Sequence, residues 1–408
     1  MTAGRRKPLN IPRLRPSDRC FPNILSNVFP HGTHRARREP KKQESMTEQP
    51  ANARPANDTP HDGGGKTGPG SILITGASGF IGSFLVERAL QEGMTVWAAV
   101  RATSSRRWLS DPRIRFVELD LSDEERLGRQ LAAHVERHGA WDFIIHAAGA
   151  TKCRRKEDFF RTNTDGTLRL ARLARLHAAV TGRFVFVSSL SVMGNVCDDR
   201  PDAAIDDTMA PQPNTAYGRS KLAAERGLAE LARRGEAPDY IVLRPTGVYG
   251  PRERDYFLMA KSLKRHVDFS VGYRRQDLTF IYVRDLVEAA FLALRNGTPG
   301  RSYFLTDGAD YPSRAFSDLL QARMGIRHVL RVKAPLWVLR AVCAVAGTAA
   351  RMTGSVSTLN ADKYNIMKQR NWKCDISPAR RELGYEPAWT LKAGVDESID
   401  WYKKEKWL

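Results

Sequence analysis

The chain has 408 residues, 42% hydrophobic content and a formal net charge of +20. This length holds one large domain or two smaller ones with a real core, and no apolar run reaches the roughly 18 residues that a membrane span requires. The charge suits phosphate-bearing ligands, but the sequence has no zinc-finger spacing, RNA-recognition aromatic motif or basic zipper, so no nucleic-acid partner is expected. Cys20, Cys153, Cys197, Cys343 and Cys374 are widely spaced and form no C-x-x-C. That argues against a disulfide scaffold or cysteine-based zinc site and suits a reducing cytoplasm.

Residues 1–70 are rich in Pro, Arg, Asn and Gly, show no sustained periodicity and read as a disordered basic tail. They lack the apolar core and cleavage site of a secretory signal, and Met46 is a second candidate start. Ser71 to Ile74 then read as a short buried strand. Gly76, Gly79 and Gly82 follow in the spacing G-x-x-G-x-x-G, and a helix fits residues 80–91. The first glycine permits a tight turn, the second lets a phosphate approach the backbone, and the third lets helix and strand pack closely. Free N–H groups and the positive end of the helix dipole then face the pyrophosphate of a dinucleotide.

From there strand and helix alternate. Further strands fit residues 95–100, 114–119, 142–146, 183–188 and 240–244, and further helices fit 123–138, 156–179 and 216–234. This order predicts an α/β fold, a doubly wound parallel sheet covered on both faces. The second strand runs into Arg101, with Arg106 and Arg107 shortly after and no acid in the place where NAD-selective units hold the ribose. A guanidinium can bind a 2′-phosphate in bidentate fashion. The expectation is therefore a preference for NADP(H), with Arg101 as the main contact; the alternative is solvated loop arginines and use of either cofactor. His134 and His138 sit four apart on a helix, but their neighbours Glu136 and Arg137 suggest a solvated face and no metal site.

After Pro251 the pattern becomes irregular. A strand-like piece at 278–282 leads into a helix with Asp285 in or near its first turn. Residues 334–350 are apolar, broken by Arg340 and flanked by Arg331, Lys333 and Arg351. They read as a packed helix of a small second domain, with weak membrane-surface contact as the alternative.

Tyr217 and Lys221 stand four apart, on one face of a helix. A nearby ammonium and a cationic nicotinamide favour the phenolate, which makes a usable acid/base near neutrality. Tyr364/Lys368 and Tyr402/Lys406 share the spacing, but Tyr217 opens a helix that follows the probable central strand Phe184–Val187. That strand ends in Ser188-Ser189, and ligands of open parallel sheets bind beyond the carboxyl ends of strands.

Taken together, Thr75 to Gly82, His146-Ala147-Ala148-Gly149, Ser188-Ser189, Tyr217/Lys221 and Leu243 to Arg252 resemble the extended short-chain dehydrogenases/reductases. More narrowly they resemble the NAD-dependent epimerase/dehydratase family, from about residue 71 to the C-terminus. The resemblance implies a catalytic Ser189, an acid/base Tyr217, and a Lys221 that holds the ribose and lowers the tyrosine pKa. It implies an Asn163 that supports the active-site helix. Gly76, Ser78, Gly79, Phe80, Ile81, Gly82, Asp120, Leu121, Ala147, Ala148, Tyr217, Lys221 and Pro245 would contact the cofactor, Asp120 at adenine. Met193, Thr246-Gly247 and Tyr282 depart from the pattern of nucleotide-sugar enzymes. They lean towards the branch resembling 3β-hydroxysteroid dehydrogenases and dihydroflavonol reductases.

The expected organisation is a cofactor domain of Rossmann type over 71–250 and a mainly substrate-binding domain over 251–408, with 278–295 returning to the first. The expected reaction is hydride transfer at a secondary alcohol or ketone of a small molecule by a cytoplasmic homodimer. A redox-neutral nucleotide-sugar epimerase or dehydratase is the alternative within this chemistry. A non-catalytic NAD(P)-binding sensor or assembly factor is the alternative outside it.

Overall fold

The computed structural model describes residues 69–200, 202–353 and 361–408. Residues 1–68 of the expected tail, Met46 among them, lie outside the described residues.

Seven parallel strands form the main sheet. In chain order they are β1 (Ser71–Thr75), β2 (Thr95–Val100), β3 (Arg115–Glu118), β4 (Phe143–His146), β5 (Phe184–Val187), β6 (Tyr240–Pro245) and a late strand, Ser302–Leu305. They lie in the order β3-β2-β1-β4-β5-β6 followed by the late strand. The order reverses between β1 and β4, which opens a crevice at their carboxyl ends.

Alternation along each strand sends side chains to opposite faces. Ile72, Ile74, Val96, Ala98, Val185 and Leu243 pack on α1 (Phe80–Gln91) and α7 (Val283–Arg295). Leu73, Trp97, Ile144, Phe184, Phe186 and Val242 pack on the other face against α2 (Glu124–His138), α4 (Gly166–Leu176) and α5 (Ala216–Arg233). The helix expected over 156–179 has a break. α3 (Lys156–Phe160) and α4 (Gly166–Leu176) are joined by a π-helical turn, Arg161–Asp165, which inserts an extra residue and presents Asn163.

Beyond β6 the chain crosses repeatedly between the main sheet and smaller units. β7 (Gly247–Tyr249), α6 (Asp255–Lys264), β8 (Val267–Val271), β9 (Asp277–Leu278) and β10 (Phe280–Tyr282) come first. β10 pairs in parallel with β7. α7 (Val283–Arg295) then packs on α1 and on β5 and β6, and the late strand, now β11, adds to the edge of β6. β12 (Tyr311–Pro312), α8 (Ala315–Arg323), β13 (Leu330–Ala334), α9 (Leu336–Thr353), α10 (Ala361–Lys368) and α11 (Leu391–Lys404) complete the chain. Asp285 sits in the first turn of α7, buried, and accepts hydrogen bonds from Ala388 N (3.0 Å) and Trp389 N (3.1 Å).

The expected solvated face on α2 holds for Glu136, Arg137 and His138, which are exposed, and is corrected at His134. His134 is buried, stacked on Trp141 at 3.9 Å and edge-on to Trp97 at 4.4 Å. Burial, aided by the charge of His138, pushes its pKa down to about 4. Trp97 lies within β2 and Trp141 just before β4, so a local reading of residues 134–138 could not see them.

Candidate active site

The glycine loop follows β1 and leads into α1. Gly79 is the N-cap of α1; no side chain caps this end and no acid lies in its first turn. A Cβ at Gly82 would stand 2.0 Å from the Gly76 carbonyl oxygen, so only glycine lets the helix approach the strand this closely. Backbone N–H groups at a helix start with no competing side chain fit a diphosphate. The loop of Ser78, Phe80 and Ile81 therefore suits the dinucleotide that its spacing predicts.

The other strand ends gather around it. Thr75 pairs with Ala99 across β1 and β2, which places Arg101 just past the strand end beside the glycine loop. The Arg101 side chain is exposed, whereas Arg107 pairs with Glu405 at 3.2 Å and Arg106 lies over the Phe116 ring at 4.2 Å. Asp120 follows β3. Hydrogen bonds from Ser122 and the charge of Arg126 hold its carboxyl below the usual range. Leu121 offers its carbonyl to Arg169 at 2.5 Å.

After β4, Ala147 and Ala148 lie against the first strand end. Ala148 N donates to Thr75 Oγ1 at 3.2 Å. The Thr75 hydroxyl also bonds to His146 Nδ1 (2.7 Å), and His146 Nε2 bonds to Thr167 Oγ1 (2.9 Å). Burial, with the charge of Lys221 adding to it, pushes the His146 pKa down to about 3, so the ring is a neutral strut. Pro245, the last residue of β6, is buried and pairs with Leu305.

Asn163 connects this region to α5. Its Oδ1 accepts from Ala150 N at 2.7 Å, and its Nδ2 donates to Ala150 O and Ser220 Oγ, both at 3.0 Å. Thr164 Oγ1 donates to Ser220 O at 2.7 Å. The π turn thus holds the loop after β4 against the helix that carries Tyr217 and Lys221.

α5 begins at an N-cap, Thr215, whose hydroxyl accepts from Gly218 N at 2.9 Å. A Cβ at Gly218 would stand 2.4 Å from the Ser191 carbonyl oxygen. Its absence lets the helix start press on the loop after β5 and brings Tyr217 to Ser189. Burial pushes the Tyr217 phenol above its ordinary pKa, and a hydrogen bond with Ser189 pulls it partway back. Ser189 Oγ also accepts from Ser191 N and donates to Ser191 Oγ, both at 3.1 Å.

Lys221 is buried, donates to Val187 O at 2.8 Å, and lies 4.6 Å above the Phe186 ring. Desolvation pushes it down to about 8, opposed by the nearby Glu225 carboxylate. The expected lowering of the tyrosine pKa by Lys221 is not what these side chains supply alone. The ammonium is directed at a carbonyl, and burial dominates at the phenol.

Glu225 was not singled out in the sequence. It lies one helical turn past Lys221, accepts from Ser188 Oγ at 2.5 Å, and pairs with Arg244 at 2.6 Å. Its signal was the repeat of Tyr217, Lys221 and Glu225 every fourth residue. Asp362 of α10 accepts from Ala216 N at 2.7 Å, 146 residues away, and had no local signal. Arg252 donates to Ser83 Oγ at 2.9 Å and pairs with Glu87 at 2.5 Å. The motif arginines Arg244 and Arg252 thus act as structural ties to α5 and α1. Met193 is buried with Leu190, Val192 and Leu222, and Tyr282 is buried between Tyr249 and Trp389.

The model of the NAD-dependent epimerase/dehydratase family matches residues 72–305. Among curated relatives, a 3β-hydroxysteroid dehydrogenase/Δ5→4-isomerase of Mycobacterium tuberculosis is 29% identical over 82% of this chain and 90% of its own length. A ceramide reductase of Caulobacter vibrioides is 26% identical over 83% of this chain and 96% of its own. Among solved structures, dTDP-glucose 4,6-dehydratase of Bacillus anthracis, in complex with NAD, aligns with a TM-score of 0.64 and 21% identity. That alignment covers 83% of this chain and 98% of the other. Its likeness is one of fold. The chain belongs to the NAD-dependent epimerase/dehydratase family, and it is an NAD(P)-dependent enzyme of the extended short-chain dehydrogenase/reductase type.

Proposed function

We propose that the protein transfers hydride reversibly at a secondary alcohol or ketone of a lipophilic small molecule, with NADP(H) as its preferred cofactor. The observation that carries this reading is the meeting of Ser189, Tyr217 and Lys221 beside the glycine loop. The names of the steroid and ceramide relatives support a lipophilic substrate. Arg101, exposed beside the loop and without an acid near it in sequence, supports the 2′-phosphate.

A bound nicotinamide supplies or accepts the hydride. The N–H groups at the start of α1 would hold the diphosphate. Lys221, still largely cationic at neutral pH, would offer the ribose the N–H donors that Val187 O does not take up. Ser189 donates a hydrogen bond to the substrate oxygen. Tyr217 gives its proton to that oxygen on reduction and takes it back on oxidation. Asn163 and Glu225 are positioning residues: one fixes α5 to the loop after β4, and the other fixes it to β5 and β6.

The test is a panel of hydroxysteroids, long-chain ketones and nucleotide sugars with NADP(H) and NAD(H), read by nicotinamide absorbance and product analysis. Net turnover of a lipophilic alcohol or ketone is expected. Tyr217→Phe is expected to keep cofactor binding and lose at least about 100-fold in turnover. Turnover confined to a nucleotide sugar, with no net change in cofactor, would overturn the substrate class; near-wild-type turnover in Tyr217→Phe would overturn the site.

A further inference from the structure

Two adjoining elements turn apolar side chains outward. β8 and β13 pair in parallel, with Val267 opposite Leu330, Phe269 opposite Val332 and Val271 opposite Ala334. Alternate residues of paired strands share a face, so those six apolar side chains form one face of the ribbon. The opposite face carries Asp268, buried against Arg314 at 2.9 Å and Ser317 at 3.3 Å, and is the side docked on α8. On the apolar face Phe269 is 63% and Leu330 66% exposed.

α9 follows β13 directly. Among its described side chains only Leu339 and Cys343 are buried. Trp337 is 73% and Val345 70% exposed, and Ala341 and Ala344 lie on the same outward arc. Leu336 approaches Gly272, just past β8, and joins the helix to the ribbon. A continuous exposed apolar surface of this kind marks an interaction site.

Its charge selects the partner. From Leu319 to Ala361 the sequence has no Asp or Glu, whereas Arg323, Arg327, Arg331, Lys333, Arg340 and Arg351 fall within it. Lys333 lies 5.1 Å over the exposed Tyr273 ring. Arg323 pairs with Asp396 and Asp400, and Arg331 with Asp318, which leaves Lys333 and Arg340 to face outward. Apolar side chains, an aromatic rim and these cations suit an anionic bilayer surface. No helix among the described residues is long and apolar enough to cross a membrane.

We propose that the outer face of β8, β13 and α9 rests on the anionic surface of a lipid bilayer. The face leads towards the catalytic helix, because α10 follows α9 in the chain and Asp362 of α10 bonds to Ala216 N beside Tyr217.

The test is co-sedimentation of the full chain with vesicles of phosphatidylcholine alone or mixed with phosphatidylglycerol. Binding to the anionic vesicles is expected, falling as salt rises. Lys333→Gln with Arg340→Gln should weaken it about 25-fold, at roughly fivefold per cation. Phe269→Ser with Trp337→Ser should weaken it at least about tenfold while circular dichroism stays native. Absence of binding to anionic vesicles would overturn the proposal. So would binding unchanged in both variants, which would assign the attraction to another part of the chain. Self-association that Trp337→Ser abolishes, without vesicle binding, would assign the face to a second copy and overturn it equally.

Discussion

Replacing Glu225 with alanine strips a buried cation of its counter-charge. The Glu225 side chain is 7% exposed on α5, and that of Arg244 is 12% exposed on β6. Arg244 donates from Nη2 at 2.6 Å and from Nε at 3.2 Å to both carboxylate oxygens, and Ser188 adds a third donor at 2.5 Å. Removing one partner of such a pair costs about 3–5 kcal/mol, because the other charge stays desolvated. Glu225→Gln keeps the shape and an acceptor for Ser188 but loses the charge; its expected cost is about 1.5–3 kcal/mol. Arg244→Met with Glu225→Leu removes both charges and should cost far less than the sum of the single changes. The assay is urea unfolding at neutral pH followed by circular dichroism, completed as a double-mutant cycle. The same carboxylate opposes the lowering of the Lys221 pKa. Glu225→Gln should therefore move the Lys221 titration below its value of about 8, visible in the pH profile of cofactor binding. A cost under about 1 kcal/mol for Glu225→Ala, or single effects that add within about 0.5 kcal/mol, would refute the argument.

Three further outcomes are expected. Arg101→Asp should weaken NADP(H) by more than about tenfold, the scale of one charge-assisted contact, and spare or improve NAD(H); wild-type preference for NAD(H), or equal shifts, would remove Arg101 from the cofactor site. Gly82→Ala puts a methyl 2.0 Å from the Gly76 carbonyl oxygen. It should cost about 1–3 kcal/mol and abolish cofactor binding, so retained affinity in calorimetry would count against the loop. His146 and His134 have folded pKa values of about 3 and 4, below the ordinary 6.5. The unfolded chain therefore binds protons that the folded chain refuses. Their contribution is full above pH 6.5 and is lost as pH falls towards 4 and 3, at about 1.4 kcal/mol per pH unit for each ring. His146→Gln should flatten this slope in urea titrations, and an unchanged slope would show that other groups carry it.

The six strands from β1 to β6 were legible as apolar runs between turn residues, and the glycine spacing located the crevice. The π turn was not legible. Arg161–Asp165 has an ordinary helical composition, and the extra residue is retained by Asn163 bonds to Ala150 and Ser220, which no local window contains. β11 carries only four residues and comes after α7, so nothing in its own sequence assigns it to β6 rather than to a smaller sheet. Asp362 shows the general limit. It reaches α5 across 146 residues, and its role exists only once the intervening chain has folded.

The position of β11 bears on how the chain folds during synthesis. When residues through Pro245 have left the ribosome, β6 has β5 on one side and nothing on the other. Its backbone donors and acceptors, on a strand of largely buried side chains, then form an open edge. More than fifty further residues must emerge before Ser302–Leu305 can close it. Over that interval a second nascent chain can pair with the same edge. A pause in translation between β6 and β11 would therefore favour aggregation even though every residue of the glycine loop, Ser189, Tyr217 and Lys221 had already been made.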